Sequence, residues 1–312
     1  MNPRIAILTP SYNHKTFIWR ALQSIACQSY SNRHCFVCDD HSSDGSHEEI
    51  IKNIRNDSRF SVFENRTNMW LHKTLFSLLQ KVSSEFEYVC FLESDDMWTS
   101  ITLEERVKYI KENKACVVVV DDFKTIDQDD KPSDSLLNLF KYRTRLHTWV
   151  NFIDKKISYL NPIKSFWSIM LGRDLLIENF PTSLNAWTTR FGMLDYLLWL
   201  SICYEHPIYY TWKKNLLYRV HANNLSWINN YNNSIENFNT LIKYCFNVDL
   251  IEWLLFQKHY YLALYDIFDN HGKNFFKYII VMRKHHKGMY MMYVKLFILY
   301  VLQNIWIKLL WR

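Results

Sequence analysis

Arg4-Ile5-Ala6-Ile7-Leu8-Thr9-Pro10-Ser11-Tyr12-Asn13 is the stretch on which the reading of the fold turns. An apolar run halted by proline and followed by small polar groups reads as a buried strand with a polar carboxyl end. The theme then repeats. Apolar residues at helical spacing (Phe17, Ala21, Leu22, Ile25) occupy Thr16 to Gln28, and Cys35-Phe36-Val37-Cys38 reads as a second strand. A helix over 46–54, a strand at Phe60–Phe63, a helix over 71–82, a strand at Tyr88–Leu92, a helix over 103–112 and a strand at Cys116–Val120 continue the alternation. Strands apolar on both faces that alternate with helices predict an α/β fold, a mostly parallel Rossmann-like sheet flanked by helices. Ligands of such sheets sit outside the carboxyl ends of the strands. Here those ends carry Thr9 to Asn13, Asp39-Asp40 and Glu93-Ser94-Asp95-Asp96.

Composition narrows the field. The 312 residues are 49% hydrophobic and 22% charged, which excludes a disordered chain. No stretch reaches the roughly 18 uncharged apolar residues that a membrane-spanning helix needs. Five glycines, no two of them close together, leave neither a GxGxxG fingerprint nor a GxxxxGK[ST] loop, so any phosphate must be held by another device. The N-terminus lacks the basic region and long apolar core of a signal peptide, and seven cysteines without metal-ligand spacing suit reduced thiols in a cytoplasm. Cys35 and Cys38 lie three apart on a strand, hence on opposite faces, and read as core residues.

Two acidic clusters could carry chemistry. In Asp39-Asp40-His41-Ser42-Ser43-Asp44-Gly45, a carboxylate at the ligand end of a sheet can accept the imide N–H of a uracil ring. Ser43 and Asp44 read more plainly as a turn and helix cap, whereas Asp40 does not. In Leu92-Glu93-Ser94-Asp95-Asp96-Met97-Trp98, three acids within four residues repel one another unless a cation lies among them. Mg²⁺ or Mn²⁺ suits such hard oxygens and would bind phosphate without a glycine-rich loop. An acidic surface turn is the plainer alternative.

Together with Tyr218-Arg219-Val220-His221-Ala222-Asn223-Asn224-Leu225-Ser226, these blocks resemble the signature of family 2 glycosyltransferases, inverting enzymes of the GT-A fold, over about residues 4–226. The resemblance implies a catalytic domain over 1–226, and the pattern beyond it reads as a helical extension over 227–312. It also implies roles. Asp40 would hold the uracil, with Pro10 and Tyr12 lining the nucleoside pocket. Asp95 and Asp96 match the DXD region, with Asp95 on the donor and Asp96 a metal ligand. His221 would join the metal, and Arg219 would assist at the diphosphate. Glu93 stands where the family more usually has Asp. Asp195, in Gly192-Met193-Leu194-Asp195-Tyr196, matches the catalytic base, opening a helix expected over 194–204. Such a carboxylate takes the acceptor hydroxyl's proton as the oxygen attacks the anomeric carbon.

The end of the chain differs in character. Between His271 and Arg312 there are eight basic residues and no acidic one, while the whole chain carries +6, so the rest is mildly acidic. Lys308 and Arg312 share one stripe of Tyr293–Arg312, opposite Leu302, Trp306, Leu309 and Leu310. A basic, aromatic helix of this kind can lie on an anionic membrane surface. Packing on the catalytic domain or on a second subunit is the alternative. The sequence therefore predicts a metal-dependent, hexosyltransferase-type enzyme of polysaccharide biosynthesis, peripheral at the inner face of the cell membrane. It would move sugar from a UDP-sugar to a glycan acceptor, lipid-linked or at the cell surface. A non-catalytic sugar-nucleotide binder or scaffold is the competing class. Nucleic-acid binding through the tail would leave the acidic strand ends unexplained.

Overall fold

A computed structural model describes residues 2–112, 118–133, 166–186, 208–221 and 274–285, with single positions at 198, 202, 206 and between 255 and 266. The chain divides into two compact units. The first comprises Met1–Phe152, Pro162–Leu184 and Leu198–Ala222, the second Ile153–Asn161, Asn185–Leu197 and Asn223–Arg312.

The first unit is built on an eight-stranded sheet: β1 (Ile5–Ser11), β2 (Arg33–Asp39), β3 (Phe60–Glu64), β4 (Tyr88–Phe91), β5 (Met97–Trp98), β6 (Val118–Ile126), β7 (Ile169–Gly172) and β8 (Ile208–Arg219). Its order is β3-β2-β1-β4-β7-β6-β8-β5. Helices α1 (Ile18–Ala26), α2 (Ser46–Ile54), α3 (Trp70–Leu79), α4 (Thr102–Glu112) and α5 (Arg173–Ala186) connect the strands.

All seven residues of β1 are buried, as a strand covered on both faces must be. It pairs in parallel with β2 on one side and β4 on the other, and the chain reverses its direction of growth there. That is the point at which such sheets open a crevice beyond their carboxyl ends. Ser11 pairs with Asp39, so the polar ends of the two strands meet. α1 turns Ile18, Ala21, Leu22 and Ile25 inward, the face its spacing predicts.

The far half of the sheet is mixed. β7 runs antiparallel to both β4 and β6, and β5 antiparallel to β8, while β6 and β8 are parallel. Phe166–Ser168 form a 3-10 turn that leads into β7. β6 runs on to Ile126, past Asp121, whose carboxylate is buried against Arg106 of α4 at 2.7 Å. Cys35 and Cys38 are buried free thiols.

Of the helix expected over 194–204, only Leu198 and Ile202 are described, both helical and fully buried. Asp195 and Tyr293–Arg312 lie outside the described residues. In the second unit, α6 (Phe275–His285) buries Phe275 and Met282 and exposes Phe276 and Ile280. No helix among the described residues is long and apolar enough to cross a membrane.

Candidate active site

Two loops lie at the carboxyl ends of β1 and β2, and they are stitched together. Asn13 and His41 take left-handed backbone conformations (φ 54° and 63°), which turn each chain sharply. The Asn13 N–H donates to Ser42 Oγ (2.9 Å), and the Ser43 N–H returns a bond to Asn13 Oδ1 (2.9 Å). Asp39 accepts from Ser42 through both oxygens, and Asp44 accepts from the Ser46 N–H in a turn just ahead of α2, whose N-cap is Gly45 rather than Asp44. Asp40 is buried. Its N–H donates to the Ser11 carbonyl (2.8 Å), while its Oδ1 accepts from Asn65 Nδ2 (2.7 Å) and the Met69 N–H (2.8 Å). The carboxylate is thereby fixed in orientation, with Pro10 buried near the end of the adjacent β1 and Tyr12 46% exposed. Ser11 Oγ is buried with no hydrogen-bond partner.

Beyond β4 the acidic residues form a turn, closed by the Asp96 N–H on the Glu93 carbonyl (3.2 Å). Asp95 Oδ2 lies 3.0 Å from His221 Nε2 and 3.9 Å from His14 Nε2. Asp95 Oδ1 is buried without a partner. His14 Nδ1 shares a 2.7 Å hydrogen bond with Ser94 Oγ, and the rings of His14 and His221 meet edge-on at 5.9 Å. Ligand-type atoms of His14, Asp95 and His221 all lie within 4.8 Å of one another. Burial, more than any neighbour, lowers the pKa of His14, so its imidazole keeps a lone pair at neutral pH. Burial raises the pKa of Glu93 and Asp96 well above the usual carboxylate range, and the charge of Asp95 adds to this. Such a set, with an orphaned carboxylate oxygen and two imidazoles, has the donor chemistry to hold a divalent cation.

The sequence reading gave the metal to Asp96 and His221. The geometry sets His221 Nε2 against Asp95, while the neighbouring Asp96 accepts the Arg219 N–H at Oδ1 (2.8 Å) and has its Oδ2 buried without a partner. Arg219, expected to assist at the diphosphate, is fully buried, and its guanidinium donates to the carbonyls of Asp95 (Nε, 2.7 Å) and Asp127 (Nη1, 2.7 Å). It also pairs with Asp130 (2.6 Å) and lies 4.8 Å over the Phe17 ring. It is a strut between two turns. Asp95, Asp96, Arg219 and His221 thus form one contact group, with Pro10, Tyr12 and Asp40 on the neighbouring strand ends. Reasoning from sequence missed Ser11 and His14, although both lie within or next to the first quoted motif.

The sequence model of glycosyl transferase family 2 matches residues 6–180, more than half of the chain. WfgD of Escherichia coli, named a UDP-Glc:alpha-D-GlcNAc-diphosphoundecaprenol beta-1,3-glucosyltransferase, is 30% identical over 109 residues, 35% of this chain and 42% of that protein. TuaG of Bacillus subtilis (strain 168), which carries the name of a teichuronic acid biosynthesis glycosyltransferase, is 26% identical over 136 residues, 44% of this chain and 53% of that one. The matches therefore span about half, or less, of these relatives. Among solved structures, residues 1–349 of S. aureus TarS with UDP-GlcNAc superpose with a TM-score of 0.63 at 18% identity, over 87% of this chain and 75% of that one. The mannosyltransferase PcManGT of Pyrobaculum calidifontis, with GDP-Man and Mn²⁺, gives 0.58 at 16% identity over 99% and 88%. The fold is that of these GT-A neighbours, and the chain belongs to glycosyl transferase family 2.

Proposed function

We propose that the protein moves a sugar, with inversion, from a UDP-sugar to a hydroxyl of a lipid-linked or cell-surface glycan in polysaccharide biosynthesis. The observation that carries this is the meeting of Asp95, His221 and His14 at the sheet's crevice, beside the fixed carboxylate of Asp40. Asp40 receives the imide N–H of uracil, with Pro10 and Tyr12 against the nucleoside. Asp95 and His221 hold Mn²⁺ or Mg²⁺. When bound, that ion offsets the charge gathering on the departing diphosphate. Arg219 keeps Asp95 in place, and Asp195 takes the proton of the acceptor hydroxyl. The choice of UDP rests on Asp40 and on the name of WfgD, since the two structural neighbours carry different nucleotides.

The basic end of the chain would hold the enzyme at the inner face of the cell membrane. On α6, Phe276 and Ile280 are 58% and 61% exposed beside exposed Lys277 and Arg283, as a membrane-surface helix requires. Salt-sensitive flotation of the full chain with phosphatidylglycerol vesicles checks this part, and flotation with neutral vesicles alone contradicts it.

The decisive experiment measures UDP release from a panel of UDP-sugars with Mn²⁺. Asp95→Asn is expected to abolish release, and Asp195→Asn to abolish it while nucleotide still binds. A wild type that binds UDP-sugar and never releases UDP with any acceptor glycan would instead be a non-catalytic binder.

A further inference from the structure

We infer that His14 is a third protein ligand of the cation centre, and that this second imidazole makes the centre prefer Mn²⁺ and similar first-row transition ions to Mg²⁺. The inference rests on the reading of Asp95 and His221 as a cation site and adds to it a residue from the loop after β1.

Distances argue for it first. With metal–ligand bonds near 2.1 Å, donor atoms at right angles lie about 3.0 Å apart and opposite donors about 4.2 Å apart. Asp95 Oδ2 stands 3.0 Å from His221 Nε2 and 3.9 Å from His14 Nε2, both within that span. At 3.9 Å the His14 contact is too long for a hydrogen bond, so a direct bond to Asp95 does not account for the ring's placement.

Orientation argues for it second. The Nδ1 of His14 is engaged by Ser94 Oγ at 2.7 Å, which aims Nε2 at Asp95. Metal-binding histidines are generally aimed by a bond to their other nitrogen in this way. The backbone is fixed as well: the His14 N–H donates to Ser46 Oγ (2.9 Å), one residue after the left-handed turn at Asn13. Asp95 Oδ1, buried and without a partner, leaves the same carboxylate a second oxygen for an ion.

Chemistry then sets the preference. Mg²⁺ favours an all-oxygen shell and keeps several waters, whereas imidazole nitrogen suits transition ions. One carboxylate with two imidazoles is a nitrogen-rich set for a site that handles a diphosphate.

The test titrates the full chain with MnCl₂ or MgCl₂ alone. His14→Gln and His14→Ala are expected to weaken Mn²⁺ binding by at least about 10-fold, the loss seen when even indirect partners of a metal ligand are removed. Mg²⁺ binding should change far less, so the Mn²⁺/Mg²⁺ affinity ratio collapses. An unchanged ratio in folded variants overturns the inference. Spin-echo spectroscopy of Mn²⁺ on the unaltered protein needs no variant: two imidazole nitrogens are expected, and a single one overturns it. Asp95→Asn separates the two levels. If that variant binds Mn²⁺ like wild type, the cation site itself is wrong. If it loses Mn²⁺ while the His14 variants keep both affinity and ratio, only the role of His14 falls.

Discussion

Replacing Arg219 with methionine keeps most of the side chain's volume and removes its three charge-assisted contacts. The Asp95 carbonyl then loses its donor inside the protein, at about 1–3 kcal/mol for an unsatisfied buried group, whereas the half-buried Asp127 carbonyl keeps the Asp130 N–H (3.2 Å) and adds little. Asp130 loses its 2.6 Å partner, but it is 34% exposed and keeps Arg20 at 2.9 Å, so little is added there. The sum is about 1–3 kcal/mol. For a domain of this size each kcal/mol moves the midpoint by about 2–4 °C, so Arg219→Met should melt about 2–12 °C below wild type. Arg219→Lys should fall between, because one ammonium cannot span three oxygens on two turns. Loosening the Asp95 carbonyl should also loosen its carboxylate, so the rise in melting temperature produced by Mn²⁺ should shrink in the methionine variant. Scanning calorimetry with and without Mn²⁺ reads both effects. A methionine variant that melts within about 2 °C of wild type, with the Mn²⁺ rise intact, would refute the strut.

Asp40→Asn should lower UDP affinity roughly 10- to 100-fold, the worth of a hydrogen bond to a charged group, and isothermal titration giving wild-type affinity would remove Asp40 from the pocket. Arg106→Met should cost about 3–5 kcal/mol in urea unfolding, because it strands a fully buried Asp121, and Arg106→Met with Asp121→Leu should recover much of that; additive losses would contradict the pairing. Burial pushes the Cys35 and Cys38 thiols up to about 12 and Cys90 to about 11, whereas Cys27 is exposed. Iodoacetamide at pH 8, read by peptide mass spectrometry, should therefore label Cys27 long before these three, and equal rates would show the sheet to be open.

The legible parts of the molecule are those decided by local apolar periodicity. β1 to β4 and the helices between them fall where the pattern puts them, because each buries a continuous run or one clear face. Asp40 and Asp95 stand out for the same reason, as acids directly beyond such runs. The reading fails where a polar residue is buried against a partner far along the chain. Asp121, Asp122 and Lys124 interrupt the apolar pattern of β6, yet the strand continues through them, since Asp121 finds Arg106, Thr211 and Asn215. β7 is four residues long and its antiparallel setting has no local signature. Nothing nearby in sequence announces that Arg219 reaches the carbonyls of Asp95 and Asp127. His14 was invisible for a geometric reason: only the left-handed turn at Asn13 brings its ring back over Ser94.

These buried polar contacts have a common consequence for the site. β8 must deliver His221 to Asp95, and a one-residue slip along β6 would turn its side chains to the opposite face. Its pairing with β6 is irregular: the register shifts between Val120 and Asp122 and again between Asp122 and Phe123, where β8 carries the extra residues. Apolar packing alone specifies such an irregular stretch weakly. Thr211 and Asn215 lie in it, and both donate to the Asp121 carboxylate (2.6 and 3.4 Å), which Arg106 holds from α4. Arg106 in turn donates to the Ile169 carbonyl of β7 and lies 4.9 Å over the Trp98 ring of β5. One buried ion pair thus touches the strands on either side of the bulge and gives it a single set of hydrogen-bond partners. Beyond it the pairing is regular to Ile126 and Arg219, and two residues later the His221 imidazole reaches the carboxylate. A hydrophobic replacement of the pair could match its contribution to stability while leaving β8 more than one register. The selective loss would then appear at Asp95 and His221, as weaker Mn²⁺ binding in a protein that still melts cooperatively.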